Sequence, residues 1–212
     1  MNIFILADEQ QKKEILKIPA AERTSVTFAK EIAGTNDLEN YDAFFVLSDH
    51  TDINFERFGE KPVYVNQVIE TLAKLRLPDN VSRINGWPGF LERQLWEVVS
   101  NQPEGHEEVF NSINREIIFV KDTPGLVSAR VISMIVNEAF FAFGENISSI
   151  EEIDEAMKLG TNYPDGPFEW AEKIGVENIY GLLEKLAEKE ERYLPAPALK
   201  KLYSDLSEKV DR

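Results

Sequence analysis

The stretch Val120–Ala139, "VKDTPGLVSARVISMIVNEA", decides the fold, because the pattern of the chain changes across it. Upstream, short β-rich runs alternate with helical ones: "NIFILA" (2–7), "TSVTFA" (24–29), "DAFFVLS" (42–48) and "KPVYVN" (61–66), each bounded by turn residues. "VIETLAKL" (68–75) has helical spacing. "VSRING", "QLWEVV", a helix near 104–114 and "EIIFV" (116–120) follow. The unbroken apolar run in "AFFVL" predicts a strand buried on both faces, as in parallel sheets. Strands alternating with helices predict an α/β layered domain over residues 1–120.

Downstream of "KDTPG" no strand pattern recurs, and residues 121–212 read as all-α. A strongly apolar helix is expected over 125–143, with Val127, Val131, Met134, Ile135 and Phe141 among its buried side chains. In "SIEEIDEAMKLG", Ser149 is the expected N-cap, Glu152 its capping-box partner and Gly160 the stop. "GPFEWAEKIG", "VENIYGLLEKLAEKEERY" and "APALKKLYSDLSEKV" read as further helices. The boundary between the two domains is expected near residues 120–124.

The chain has 212 residues and a net charge of −15. The acidity is even, with 20 Asp/Glu against 12 Lys/Arg in residues 1–120 and 18 against 11 in the remainder. Such a surface repels nucleic acid and anionic lipid, so neither is an expected partner. There is no cysteine, which removes disulfides, thiolate metal sites and a Cys nucleophile together. Of the two histidines, His50 in "SDHTD" reads as a solvated loop residue and His106 as an exposed residue in the first turn of a helix. No metal site is expected. The apolar runs are too short for a signal sequence or a membrane span, and the expectation is a soluble cytoplasmic protein.

A strand, turn and helix at the start of an α/β domain invite a dinucleotide, whose pyrophosphate needs glycines and an open helix N-terminus. The turn here is "LADEQQKKE". Ala7, Glu9 and Lys12 stand where three glycines would be, and Asp8 and Glu9 occupy the helix start. Those carboxylates favour the helix dipole themselves and repel a diphosphate. No cofactor-binding residue is expected in this turn.

"VKDTPGLVSARVISMIVNEA" followed by "SIEEIDEAMKLGTNYPDGPFEWAEKIG" resembles the C-terminal domain of the 3-hydroxyacyl-CoA dehydrogenases. Asp154, Ala156, Met157, Gly160, Tyr163, Pro164, Gly166, Pro167, Phe168 and Glu169 fit that family's second signature, and the match extends over residues 81–203. The resemblance implies a shortened Rossmann-like parallel sheet domain followed by a helical domain like the C-terminal domain of 6-phosphogluconate dehydrogenase. It also implies dimerisation through the helical domain, an acyl-CoA substrate between the domains, and hydride transfer with NAD.

Within that resemblance, the stretch 83–99, "RINGWPGFLERQLWEVV", is the family's catalytic histidine loop and the following strand. The glutamate that orients the histidine falls on Glu97, and counting back places Asn85 where the histidine belongs. Asparagine has no titratable nitrogen and cannot serve as a general base. The resemblance puts Asn66, Trp87 and Ala129 in the substrate cleft, with Val68 in place of a serine and Ala129 in place of an asparagine. Tyr163 to Pro167 is read as a structural turn. The expectation is therefore a homologue that has lost NAD binding and the catalytic histidine, acting as a binding or dimeric assembly module. The alternatives are an active 3-hydroxyacyl-CoA oxidoreductase of fatty-acid β-oxidation with an atypical cofactor site, or a subunit supplying its helical domain to a partner.

Overall fold

The computed structural model describes residues 1–32, 37–48, 53–102 and 104–210, and divides into two compact units, Met1–Leu126 and Val127–Arg212. His50 lies outside the described residues.

Unit 1 is built on a seven-stranded sheet: β1 (Asn2–Leu6), β2 (Ser25–Ala29), β3 (Ala43–Val46), β4 (Val63–Asn66), β5 (Val81–Ile84), β6 (Leu95–Val99) and β7 (Glu116–Phe119), in the order β2-β1-β3-β4-β5-β6-β7. β1 to β5 are parallel, but β6 runs antiparallel to β5 and β7 parallel to β6. The sheet is thus mostly parallel, because the 85–94 connection is a local turn-back and not a helical crossover.

The side-chain alternation of the strands separates two cores. Ile3, Ile5, Phe45, Tyr64 and Ile84 face α1 (Glu9–Leu16) and α3 (His106–Ser112) through Ile15, Val109 and Phe110. Phe4, Leu6, Phe44, Val46, Val63 and Val65 face Leu38 and Phe58, which come from short 3-10 turns. Both faces are covered, as the unbroken "AFFVL" run predicts. The helix expected over 68–75 is a single turn, α2 (Leu72–Leu75). Residues 67–71 instead form a loop held by side chains described below.

Arg115 fastens the far side of unit 1. It is 1% exposed; its Nη2 donates to Ile15 O (3.0 Å) and Leu91 O (3.2 Å), and its Nη1 to Ile113 O (3.2 Å) and Ile18 O (3.4 Å). Burial lowers its pKa to about 10.

Unit 2 is helical: α4 (Ser128–Gly144), α5 (Ile150–Thr161), α6 (Pro167–Ile174), α7 (Val176–Ala187) and α8 (Pro197–Val210). The Ser149–Glu152 capping box forms as expected. Two expectations are corrected. α5 ends at Thr161, capped by Asn162 in the left-handed region, and continues through Gly160. The buried stripe of α4 is Ala129, Ser133, Val136, Asn137 and Phe140, whereas Val127 and Val131 are half-exposed. The reason is Asn137: its Nδ2 donates to Leu194 O and its Oδ1 accepts Ala196 N, so a satisfied polar residue faces inward and fixes the rotation of the helix.

Candidate functional site

Ligands of open α/β sheets bind beyond the carboxyl ends of the strands, where the chain reverses its direction of travel across the sheet. Here that point lies between β1 and β3. The chain occupies it with its own side chains. Asp8 caps α1: its Oδ1 accepts Gln11 N at 2.7 Å, and Gln11 Oε1 accepts Asp8 N at 3.1 Å. This reciprocal box uses donors and helix potential that a phosphate would need.

Gln11, 6% exposed, then donates through Nε2 to Leu47 O at 2.8 Å and to Gly86 O at 3.5 Å. Asn66 Nδ2 donates to the same Leu47 O at 3.1 Å, while Asn66 Oδ1 accepts Gly86 N at 2.9 Å. Gly86 has to be glycine, since a Cβ there would lie 2.7 Å from Asn66 Cγ. One helical turn past Gln11's cap, both carboxylate oxygens of buried Glu14 accept Gly89 N, at 2.8 and 2.9 Å. The loop "NGWPG" is therefore laced to α1 and β4 by their side chains, and Gln11 and Asn66 share the Leu47 carbonyl just past β3. These residues offer no phosphate cradle, so the chain does not fit NAD in the manner of a glycine-loop site.

The β5–β6 register, Arg83 opposite Val99 and Ile84 opposite Val98, carried one step further sets Asn85 opposite Glu97. Asn85 is 7% exposed and accepts Trp87 N through Oδ1 at 3.2 Å, and Glu97 is half-buried. The structure thus brings Asn66, Asn85, Trp87 and Glu97 to one end of β4, β5 and β6. Trp87 is a buried side chain, and both polar ends of Asn66 are engaged inside the protein. Ala129 is fully buried within unit 2. An amide beside a carboxylate can orient a ligand but cannot take a proton from a hydroxyl.

Behind this end of the sheet stands Arg83, with its side chain inaccessible to solvent. Its Nη1 pairs with Asp122 at 2.6 Å, its Nε donates to Gln67 O at 2.8 Å and its Nη2 to Val68 O at 3.0 Å. Asp122 also accepts Leu72 N and Ala73 N, both at 3.1 Å. One arginine and one aspartate hold the 67–71 loop to the "KDTPG" segment.

His106 is not the exposed residue the sequence suggests. It is 5% exposed, with Nδ1 2.8 Å from Tyr64 Oη and Nε2 2.5 Å from Gln102 O. A carbonyl can only accept, so Nε2 carries a proton, and burial favours the neutral ring, whose Nδ1 accepts from Tyr64. Burial lowers the His106 pKa and raises that of Tyr64. Sequence reading missed Gln11, Glu14, Arg83 and His106. The D-x-x-Q spacing of Asp8 and Gln11 was a findable signal; the long-range partners of the other three left none.

Among the described residues no group of three His, Asp or Glu is placed to hold a metal ion, and no helix is long and apolar enough to cross a membrane.

Comparison with known proteins assigns the helical unit. Residues 125–209 match the model of the 3-hydroxyacyl-CoA dehydrogenase C-terminal domain. The helical unit belongs with the C-terminal domains of the 3-hydroxyacyl-CoA dehydrogenases. The chain is 40% identical over 88 residues to a 3-hydroxyadipyl-CoA dehydrogenase of Escherichia coli, covering 41% of this chain and 18% of that protein. It is 30% identical over 143 residues to a 3-hydroxybutyryl-CoA dehydrogenase of Clostridioides difficile, covering 64% and 51%. The chain therefore spans about half, or less, of the length of these relatives. The crystal structure of (S)-3-hydroxybutyryl-CoA dehydrogenase from Ralstonia eutropha shares the fold, with a TM-score of 0.70 at 18% identity over 96% of this chain and 93% of that one.

In this helical unit the second signature has a structural explanation. Asp154, on α5 and 7% exposed, accepts Phe168 N at 2.8 Å and Glu169 N at 3.2 Å, capping α6 from the neighbouring helix. A Cβ at Gly166 would lie 2.4 Å from Asp154 Cγ. Glu169 Oε2 accepts Gly166 N at 2.7 Å, and its Oε1 pairs with Lys158 at 2.5 Å, which lowers the Glu169 pKa.

Proposed function

We propose that this protein is a 3-hydroxyacyl-CoA dehydrogenase homologue that does not transfer hydride, acting in the cytoplasm as a dimeric binding or assembly module for an acyl-CoA. The observation that carries the reading is the Asp8–Gln11 capping box, continued by Gln11 and Asn66 onto Leu47 O. Side chains fill the place a dinucleotide phosphate would take. Asn85 beside Glu97 points the same way, since the carboxylate has no imidazole to orient. The half-exposed Phe143 and the exposed Ile147 and Leu159 of the helical unit support self-association. The conditional reading, an active oxidoreductase using NAD at an atypical site, draws on the retained Glu97.

Fluorescence titration with NADH, run beside an acetoacetyl-CoA reduction assay, separates the two. The expected result is no saturable NADH binding and no turnover, with saturable binding of an acyl-CoA and elution as a dimer. Turnover with NADH overturns the non-catalytic reading, and monomeric elution overturns the dimer.

A further inference from the structure

Tyr193, 4% exposed, lies between two arginine side chains. Its hydroxyl oxygen accepts Arg130 Nε at 3.0 Å, Arg130 Nη2, and Arg192 Nη2 at 2.6 Å. The same two guanidinium groups stand over its ring, 4.8 and 4.6 Å from the centroid. Two like charges are thus held at most the sum of those distances apart. At that separation the two cations repel each other.

A single carboxylate answers both. Glu190 Oε2 lies 2.8 Å from Arg192 Nε, while its Oε1 is 4.0 Å from Arg130 Nη2, and its side chain is half exposed. Among the described residues Glu190 is the one carboxylate paired with either guanidinium, and Glu191 adjoins Arg192 in the chain. Arg130 also sits in the first turn of α4, where the helix potential disfavours a cation. Among the described residues Nη1 of Arg130, Nη1 of Arg192 and the Tyr193 hydroxyl proton find no acceptor. These are three donors beside two planar cations, a set suited to tetrahedral oxyanions.

We propose that Arg130, Arg192 and Tyr193 form a site for a phosphate group, from which Glu190 is displaced on binding. A second carboxylate would only balance the pair, whereas a phosphate dianion supplies both charges and enough acceptors for all three donors. The site lies wholly within the helical unit, so it stands whether or not the protein binds NADH.

Calorimetric titration of the full chain with inorganic phosphate and, separately, with coenzyme A tests it. Arg192→Gln is the informative variant, because that side chain is 65% exposed and its loss spares the fold. The site predicts an affinity about tenfold weaker in Arg192→Gln and a few-fold tighter in Glu190→Gln. Saturation by coenzyme A but not by phosphate identifies a carried phosphate, and saturation by both a free one. No saturable heat from either probe, or equal affinity in Arg192→Gln and the native chain, overturns the proposal.

Discussion

Replacing Asp154 tests whether the family signature in the helical unit is retained for architecture. In the native protein its two oxygens hold Phe168 N and Glu169 N at 2.8 and 3.2 Å, at 7% exposure. Asp154→Ala removes both acceptors and leaves two N–H groups of the first turn of α6 in a site with little access to water. A hydrogen bond to a charged group contributes roughly 1.5 kcal/mol at the lower end, so the pair amounts to about 3 kcal/mol. The methyl group of alanine also leaves the space against Gly166 unfilled. Asp154→Asn keeps one acceptor but turns an NH2 toward the second donor, and about half that loss is expected. With a urea dependence of about 2 kcal/mol per molar, the midpoint of Asp154→Ala falls by about 1.5 M. Tryptophan fluorescence reports the transition, and hydrogen exchange at residues 168–170 localises it. A midpoint shift corresponding to less than about 0.5 kcal/mol with unchanged slope would refute the capping argument, as would unaltered exchange at those amides.

Arg83→Ala takes the guanidinium from Asp122 and a donor from the carbonyls of Gln67 and Val68, leaving a buried gap, and a loss of about 3 kcal/mol is expected in thermal denaturation. A change within about 0.5 kcal/mol would show that the ion pair is dispensable. His106 is held neutral in the folded chain, with its pKa below the unfolded value of about 6.5. As pH falls below 6.5 the unfolded state takes up a proton first and stability declines, until the folded imidazole titrates as well. Above 6.5 the residue contributes no slope. Urea midpoints between pH 7.5 and 5.5 should therefore fall more steeply in the native chain than in His106→Gln, and parallel curves would contradict this. Asn85→His restores an imidazole opposite Glu97 but not a phosphate cradle. Acetoacetyl-CoA reduction with NADH should stay at background, and measurable turnover would mean that a cofactor site exists elsewhere.

Much of the fold is legible in the sequence because it depends on neighbours in the chain. "AFFVL" reads as a doubly covered strand since every side chain in it has to be buried, and Ser149 with Glu152 close a box three residues apart. The errors come from partners distant in sequence. α4 is turned by Asn137 reaching Leu194 and Ala196, so its most apolar side chains are not its most buried ones. Gly160 does not end α5 because Asn162, two residues on, takes the left-handed conformation instead. At the sheet edge the missing glycines of "LADEQQKKE" are plain in the sequence. What takes their place is not, since Gln11 finds Leu47 and Glu14 finds Gly89 only once the sheet is assembled. His106 looked solvated among glutamates, and only the approach of Tyr64 and Gln102 makes it a core residue.

The clasp of Arg115 bears on how the chain is made. Its donation to Ile15 O joins residues 100 positions apart, Ala21 N reaches Ser112 O, and Asn114 Nδ2 reaches Pro19 O. α1 is synthesised well before Arg115, yet its final carbonyls are completed by nearly the last residues of the same unit. Such distant pairings slow folding, because loop closure has to precede the contacts that reward it. Until Arg115 has cleared the exit tunnel, "FILA" and "AFFVL" are exposed without that closure. A chain that folds through such late contacts exposes apolar strands for longer, and exposed strands are where aggregation starts.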